Sequence, residues 1–159
     1  MKILILSDSH GAEQRLTDIL IDNNDADCLV FLGDGERDFE SALASLDIFP
    51  YGKIRKTVLQ AAGNCDRFSS EATTLLENLG SFKVLITHGH AQNVKYGYGR
   101  LADEARSRNC RIALFGHTHM RELCEVSGVT LFNPGSVRAG SYGILEITGD
   151  RFEFRHMEC

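Results

Sequence analysis

Short apolar runs alternate with helix-spaced apolar residues along the first third of the chain. Residues 2–7 form an almost continuous apolar run, which predicts a strand covered on both faces. Leu16, Ile19 and Leu20 follow at helical spacing and predict an amphipathic helix over residues 11–23. The same reasoning predicts a strand at 28–32, a helix at 36–46 and a strand at 54–62.

The pattern changes in the second half of the chain. Residues 73–79 and 82–87 flank Gly80-Ser81, a two-residue hairpin signal. A helix is predicted at 101–108 and a buried strand at 111–115, and from Arg121 onward only strands are predicted. Because βα units are followed by a run of hairpins, we expect a mixed α/β fold with more than one sheet. With no repeat and no linker, we expect one domain over residues 1–159.

Composition and charge exclude several classes of protein. The 159 residues are 43% hydrophobic and 25% charged, as in ordinary globular proteins, and the net charge of −5 makes a nucleic-acid partner unexpected. No apolar run has the roughly 18–20 residues of a membrane span, and the first residues lack a signal-peptide core. The five scattered cysteines include no CxxC pair. We therefore expect a soluble, cytoplasmic protein without a membrane partner.

Polar residues, many beside a glycine, follow one predicted strand after another. Because carboxyl ends of parallel strands open onto a shared crevice, we expect these side chains to converge. They are Asp8, His10, Asp34, Asn64, His88, His117 and His119.

Carboxylate, imidazole and amide oxygen together suit divalent cations such as Mn²⁺, Fe²⁺ or Zn²⁺. Seven ligands are too many for one ion with an open position and about right for two. Taken singly, Asp8 also fits a helix cap and Gly33-Asp34 a simple turn. The joint occurrence at strand ends favours a site with two metal ions.

The ordered motifs resemble the calcineurin-like metallophosphoesterase superfamily. They are Asp8-x-His10, Gly33-Asp34, Gly63-Asn64, His88-Gly89-His90 and Gly116-His117-x-His119, and 133–136 resembles a segment of the small bacterial and archaeal phosphodiesterase branch. The resemblance implies a four-layer α-β-β-α sandwich of two mixed sheets flanked by helices. It also implies that Asp34 bridges two metal ions. The ligands implied are Asp8, His10, Asp34 and His119 for one ion and Asp34, Asn64, His88 and His117 for the other.

The activity implied by the resemblance is hydrolysis of a small phosphodiester by in-line attack of a metal-bridging hydroxide. Asp34, Asn64 and His88 are the expected catalytic residues. Two divalent metal ions are expected as cofactors, Mn²⁺ first, with Zn²⁺, Fe²⁺, Ni²⁺ and Mg²⁺ as alternatives. A phosphomonoesterase or pyrophosphatase on the same metals and a non-catalytic scaffold of the vacuolar-sorting type are the alternative functions. The oligomeric state stays open, a homo-oligomer included.

One position departs from the family pattern, and several others have weaker signals. Cys65 stands where many members have a histidine near the leaving group, which leaves open what protonates the leaving oxygen. Asp66 is a candidate for orienting an imidazole or for a solvated turn. His90 is a candidate for lining the pocket, for supporting the ligands from behind or for a surface position, the last two being favoured. His156 is expected to be exposed. Weaker candidates for substrate contacts are Arg37, Arg67, Arg138, Tyr96, Tyr98 and Arg100.

Overall fold

The computed structural model describes residues 1–159 and contains ten strands and three α-helices. The strands are β1 Lys2–Leu6, β2 Cys28–Phe31, β3 Thr57–Gln60, β4 Thr74–Leu79, β5 Phe82–Thr87, β6 Ile112–Leu114, β7 Arg121–Val126, β8 Val129–Pro134, β9 Ser141–Thr148 and β10 Arg151–Glu158. The helices are α1 Glu13–Asp22, α2 Glu36–Ser45 and α3 Gly99–Ser107. None of the three is long and apolar enough to cross a membrane.

The strands form two mixed sheets of five strands each. The first sheet has the order β10-β9-β1-β2-β3, with β1, β2 and β3 parallel and β9 antiparallel to both β1 and β10. The second has the order β4-β5-β6-β8-β7, with β5, β6 and β8 parallel and both edge strands antiparallel to their neighbours. The carboxyl ends of the parallel strands within each sheet therefore lie along one edge.

Alternating side chains of the central strands bury both faces of each sheet. In β1, Ile3 and Ile5 pack between the two sheets, whereas Leu4 and Leu6 pack against α1 and α2. In the second sheet, Leu85 and its neighbours pack against α3 in a third core. The order helices, sheet, sheet, helix confirms the predicted four-layer sandwich, and the unbroken apolar runs reflect strands covered on both faces.

The predicted elements are all present, and most ends agree within two residues. The strand predicted at 54–62 is shorter, because β3 covers only Thr57–Gln60. Ile54 instead forms an isolated bridge with Ile48 in the loop after α2, and its backbone amide donates to Asp47. One part of the apolar run thus pairs with the loop after α2 and the other part pairs with β2. The apolar pattern alone does not show where the run divides.

Candidate metal centre

The loops after four parallel strands bring six of the seven predicted metal ligands together. Those loops follow β1, β2, β5 and β6 and carry Asp8, His10, Asp34, His88, His117 and His119. Asp8, Asp34 and His88 are buried, His10 and His117 are half-buried, and His119 is exposed. The site is therefore set into the sheet edge but open on one side.

Asp8 has one carboxylate oxygen committed to the protein and one left free. Its Oδ2 accepts hydrogen bonds from the Ser7 hydroxyl and from the His117 backbone amide, the latter at 3.1 Å. Its Oδ1 is buried without a hydrogen-bond partner and lies 3.1 Å from His119 Nε2 and 3.8 Å from His10 Nε2. Burial raises the pKa of Asp8. A buried carboxylate oxygen without a donor is costly unless a cation satisfies it.

Asp34 lies between the two groups of ligands. Its Oδ1 accepts a hydrogen bond of 2.7 Å from the Cys65 backbone amide. Its Oδ2 lies 3.3 Å from His88 Nε2 and 3.8 Å from His10 Nε2. Burial opposes ionisation of Asp34, but the hydrogen bond and charge of His88 and the Cys65 amide outweigh it and hold the pKa well below its usual range. Asp34 is therefore a carboxylate whose Oδ2 faces both groups.

His88 is oriented by the backbone. Its Nδ1 lies 2.7 Å from the Leu32 carbonyl, which fixes that nitrogen as a donor and turns Nε2 toward Asp34 and toward His117 Nδ1 at 3.2 Å. Burial lowers the pKa of His88, but the carboxylates of Asp34 and Asp8 more than compensate and raise it overall. Burial and the charge of His88 lower the pKa of His117 to about 4. His117 is therefore neutral and able to donate a lone pair to a metal.

The donor atoms form adjoining groups that suit divalent cations. Asp8, His10 and His119 form one group and Asp34, His88 and His117 another, and within each group the donor atoms lie within 4.8 Å of one another. His10 and Asp34 form a third such group with Cys65, so the first two are contiguous. The free Asp8 oxygen, the oriented His88 and the mixture of carboxylate and imidazole are what such ions require.

Asn64 and His90 lie at the margin of these groups. Asn64 is exposed, and its carboxamide donates to Cys65 Sγ at 3.3 Å. Its role as a ligand stays a prediction. His90 is half-buried, with ring centroids 5.5 Å from His88 and 6.2 Å from His117, and its buried Nδ1 has no partner. His90 therefore borders the site.

The backbone of the site adopts conformations that residues other than glycine rarely adopt. Five candidate ligands have positive φ, between 42° and 68°: Asp8, His10, Asp34, His117 and His119. Two glycines allow the ligand loops to approach closely. A Cβ at Gly63 would collide with the Asp34 carboxylate, and one at Gly116 would collide with the Ser7 hydroxyl.

Comparison with known families accounts for this arrangement. Residues 1–150 match the model of the calcineurin-like phosphoesterase superfamily domain. The chain belongs to this superfamily. It is therefore a metal-dependent phosphoesterase, a hydrolase that uses divalent metal ions.

Individual relatives agree with this assignment. The chain is 32% identical over 157 residues to the probable metallophosphoesterase YsnB of Bacillus subtilis, covering 94% of this chain and 86% of that protein. Among solved structures, a Vps29 single mutant from Entamoeba histolytica superposes with a TM-score of 0.76 at 22% identity, covering 100% and 99% of the two chains. An archaeal phosphodiesterase superposes with a TM-score of 0.72 at 21% identity, covering 99% and 100%. At these identities the two structures share the fold alone.

Asp66 of the phosphoesterase orients backbone rather than an imidazole. Its carboxylate accepts four backbone N–H bonds, at 2.7 Å from Asp34, 2.8 Å from Gly35, 3.0 Å from Glu36 and 2.9 Å from Gly63. It thereby caps the N-terminus of α2 and fixes the turn that carries Asp34. In the structure this carboxylate accepts backbone N–H groups and no imidazole N–H.

The segment 133–136 supports two ligand loops of the phosphoesterase. The buried Asn133 donates to the Gly116 carbonyl at 2.9 Å and to Thr118 Oγ1 at 3.0 Å, on both sides of His117. The buried Ser136 hydroxyl donates to the Asp8 carbonyl at 2.8 Å. The segment therefore connects the loop after β1 to the loop after β6.

His156 corrects a further expectation for this phosphoesterase. It is half-buried rather than exposed, stacks on Phe132 with centroids 4.6 Å apart, and its Nε2 donates to the Asn133 carbonyl at 2.8 Å. It therefore helps to fix the position of Asn133. The sequence does not indicate this contact, because β10 and β8 belong to different sheets and meet only where the two sheets pack together.

We expect Asn133→Ala to loosen the loop that carries His117 and His119. The Gly116 carbonyl would lose its side-chain donor, which we expect to cost about 2 kcal/mol of unfolding free energy. Affinity for Mn²⁺, measured by calorimetry, should fall about tenfold. Asn78→Ala is the matched control, because Asn78 is exposed and its side chain makes no hydrogen bond. Unchanged Mn²⁺ affinity in Asn133→Ala would rule out the positioning role.

Two surface cavities meet at the metal centre of the phosphoesterase. The first, of about 530 Å³, is lined by His10, Asp34, Cys65 and residues of the 35–40 and 66–69 segments. The second, of about 540 Å³, is lined by residues that include Arg15, Arg138 and Cys159. Their walls share only His10 and Gly11. A ligand bound at the centre can thus extend in two directions.

Proposed function

We propose that this phosphoesterase is a binuclear phosphodiesterase that hydrolyses small phosphodiesters. The two cavities that share His10 carry the proposal. A phosphodiester has two organic substituents, whereas a monoester has one, and a centre with a cavity on each side of one ligand accommodates both substituents. The centre is also open, with His119 exposed, so small diesters reach it without movement of a lid.

The residues proposed to hold the ions follow the donor groups. Asp8, His10, Asp34 and His119 would hold one ion, and Asp34, Asn64, His88 and His117 would hold the other, with Asp34 shared between them. Mn²⁺ is the proposed metal, with Zn²⁺, Fe²⁺, Ni²⁺ and Mg²⁺ as alternatives. When bound, the two cations supply a nucleophile from water near neutral pH and positive charge beside the phosphoryl oxygens.

The protein's own residues position the substrate and balance charge. The Oδ2 atom of Asp34 offsets part of the positive charge between the two ligand groups. The Leu32 carbonyl holds the His88 ring so that Nε2 faces the centre. Asn64 is exposed next to Cys65 at the cavity wall, where its amide can donate to a non-bridging phosphoryl oxygen.

Metal analysis combined with a panel of phosphate esters tests this proposal. Purified protein should contain close to two metal ions per chain, and with Mn²⁺ it should hydrolyse bis(4-nitrophenyl) phosphate with a higher kcat/KM than 4-nitrophenyl phosphate. A higher kcat/KM for the monoester or for pyrophosphate with every metal would instead establish the phosphomonoesterase or pyrophosphatase alternative. Metal-stripped protein, which should be inactive, is the control.

The fold alone does not distinguish an enzyme from a non-catalytic scaffold of the vacuolar-sorting type, but the site and an activity measurement do. Vps29 shares this fold, so similarity of structure favours neither function. The complete set of carboxylate and imidazole donors favours an enzyme, because a scaffold needs neither the unpartnered Asp8 oxygen nor the strained ligand loops. Metal-replete protein without hydrolysis of any ester in the panel would support the scaffold.

We also propose that the protein works in the cytoplasm. All five cysteines are free in the structure, and two of them, Cys28 and Cys110, are buried. Free thiols of this kind are typical of a reducing compartment.

Cys65 predicts a preference for diesters with good leaving groups. The thiol lies in the cavity wall, where burial and the neighbouring Asp34 raise its pKa, and a thiol is a weak hydrogen-bond donor. We expect Cys65→His to raise kcat for diphenyl phosphate relative to bis(4-nitrophenyl) phosphate by about tenfold, because an imidazole assists a poor leaving group. Cys124→His, on β7 and outside both cavities, is the matched control. An unchanged ratio in Cys65→His would show that position 65 does not assist departure.

A further inference from the structure

One large aromatic side chain is fully exposed in the wall of the first cavity. Phe68 is 99% exposed and lines the same cavity as His10, Asp34 and Cys65. Its backbone has a φ of 71°, a conformation that bulky residues rarely adopt. The ring is held outward on a strained backbone in the cavity wall that also contains His10 and Asp34, which points to a ligand that covers it.

Charged residues of both signs lie around Phe68 in this wall. Several acidic residues of this wall are already engaged: Asp66 accepts backbone N–H groups, Asp38 accepts from the Ser9 hydroxyl and the Gly11 amide, and Glu40 accepts from the Tyr51 hydroxyl.

The two arginines of the same wall are unengaged. Arg37 and Arg67 are exposed, and neither guanidinium makes a hydrogen bond or an ion pair. They leave positive charge available beside the ring of Phe68. The wall therefore combines a flat apolar surface with cations, which matches an aromatic group attached to a phosphate.

We propose that the first cavity binds an aromatic substituent of the phosphodiester, stacked on Phe68. This inference rests on the proposed phosphodiesterase function and specifies its substrate class as diesters with at least one aryl or nucleobase-like substituent. The cavity volume of about 530 Å³ lies within the roughly 300–1,000 Å³ typical of small-molecule sites and holds a substituted ring. Phe68 is a specificity-determining residue, while Asp34 on the same wall belongs to the metal centre.

Binding of two non-chromogenic diesters tests the stacking. Calorimetry on Mn²⁺-loaded protein compares diphenyl phosphate with diethyl phosphate, which lacks the rings. Phe68→Ala should lower the affinity for diphenyl phosphate about three- to tenfold, because the contact with the ring is removed. The affinity for diethyl phosphate should change by less than about twofold. Phe68→Tyr, which keeps the ring, should bind both as the unmodified protein does. Tyr96→Ala is the matched control, because Tyr96 is 93% exposed and lines neither cavity.

Kinetics separate this inference from the function on which it rests. For bis(4-nitrophenyl) phosphate, Phe68→Ala should raise KM by a similar factor with little change in kcat. The stacking proposal would be overturned, whatever the activity, if Phe68→Ala lowered the affinity for both diesters equally or changed neither affinity. Selective weakening in a protein that hydrolyses no diester would uphold the aromatic site and overturn the proposed function. Thermal unfolding of each variant confirms that the comparison is made on folded protein.

Discussion

Asp34→Asn should abolish turnover and lower metal content together. The Cys65 amide donates to Oδ1 of Asp34, so the asparagine oxygen is expected to keep that hydrogen bond. The NH₂ group would then occupy the position of Oδ2, facing His88 and His10, and would present protons where a lone pair is needed. Even residues that only support metal ligands change affinity by about 10–100-fold, so we expect at least about a 100-fold loss for the bridging ligand itself.

The measurement combines metal analysis with steady-state kinetics on the same preparation. Asp103→Asn is the matched control, because Asp103 is exposed and pairs only with Arg106 on the surface of α3. It should keep both metal content and kcat. Asp34→Asn protein that is active and metal-replete would remove the bridging assignment. Protein that loses one ion of two and all activity would support it fully, because the shared ligand serves both groups.

The fold was largely predictable because each central strand carries its own evidence. Ile3 and Ile5 face one core and Leu4 and Leu6 the other, so the local apolar run already indicates a strand covered on both faces. The local pattern does not predict which strands pair with each other. The placement of β9 beside β1 joins segments about 140 residues apart, and only the family resemblance implied the four layers. The shortened β3 shows the same limit, because Ile54 pairs with a loop.

The clustering of six candidate ligands was predictable because each follows a strand whose end is marked by the sequence. What the sequence does not show is how the backbone of these loops is held. The positive φ of His117, which is not a glycine, has no local sequence signal and depends on bonds from Asn133 on another strand. Asp66 is similar, because its four acceptor contacts join two loops that are far from each other in sequence.

The sequence did not predict which aromatic residue lines the cavity beside the metal centre. The aromatic residues that the sequence indicated as weaker candidates for substrate contacts were Tyr96 and Tyr98. In the structure Tyr98 packs against Phe115 and donates to Glu122, and Tyr96 lies outside both cavities. Phe68 occupies the cavity wall instead. Its proximity to Asp66 in the sequence was the available signal, but exposure of a phenylalanine is a property of the folded loop.

Asp66→Ala should be the most damaging substitution outside the ligands. Four backbone N–H groups, including that of Asp34, would lose a charged acceptor, and the first turn of α2 would lose its cap. Hydrogen bonds to charged groups contribute roughly 1.5–3 kcal/mol each, but water can reach part of this half-buried site. We therefore expect a loss of about 3 kcal/mol in unfolding free energy, measured by urea denaturation of metal-free protein.

A role in positioning Asp34 predicts more than lower stability. At a temperature well below the unfolding transition, Asp66→Ala should bind Mn²⁺ about tenfold or more weakly and recover part of its kcat at high Mn²⁺. Asp150→Ala, which removes an exposed carboxylate without a side-chain partner, should change neither property. Lower stability with unchanged Mn²⁺ affinity and kcat would mean that Asp66 holds α2 alone. Because the Asp34 and Gly63 amides share one oxygen of Asp66, we expect the turn and the metal centre to weaken together.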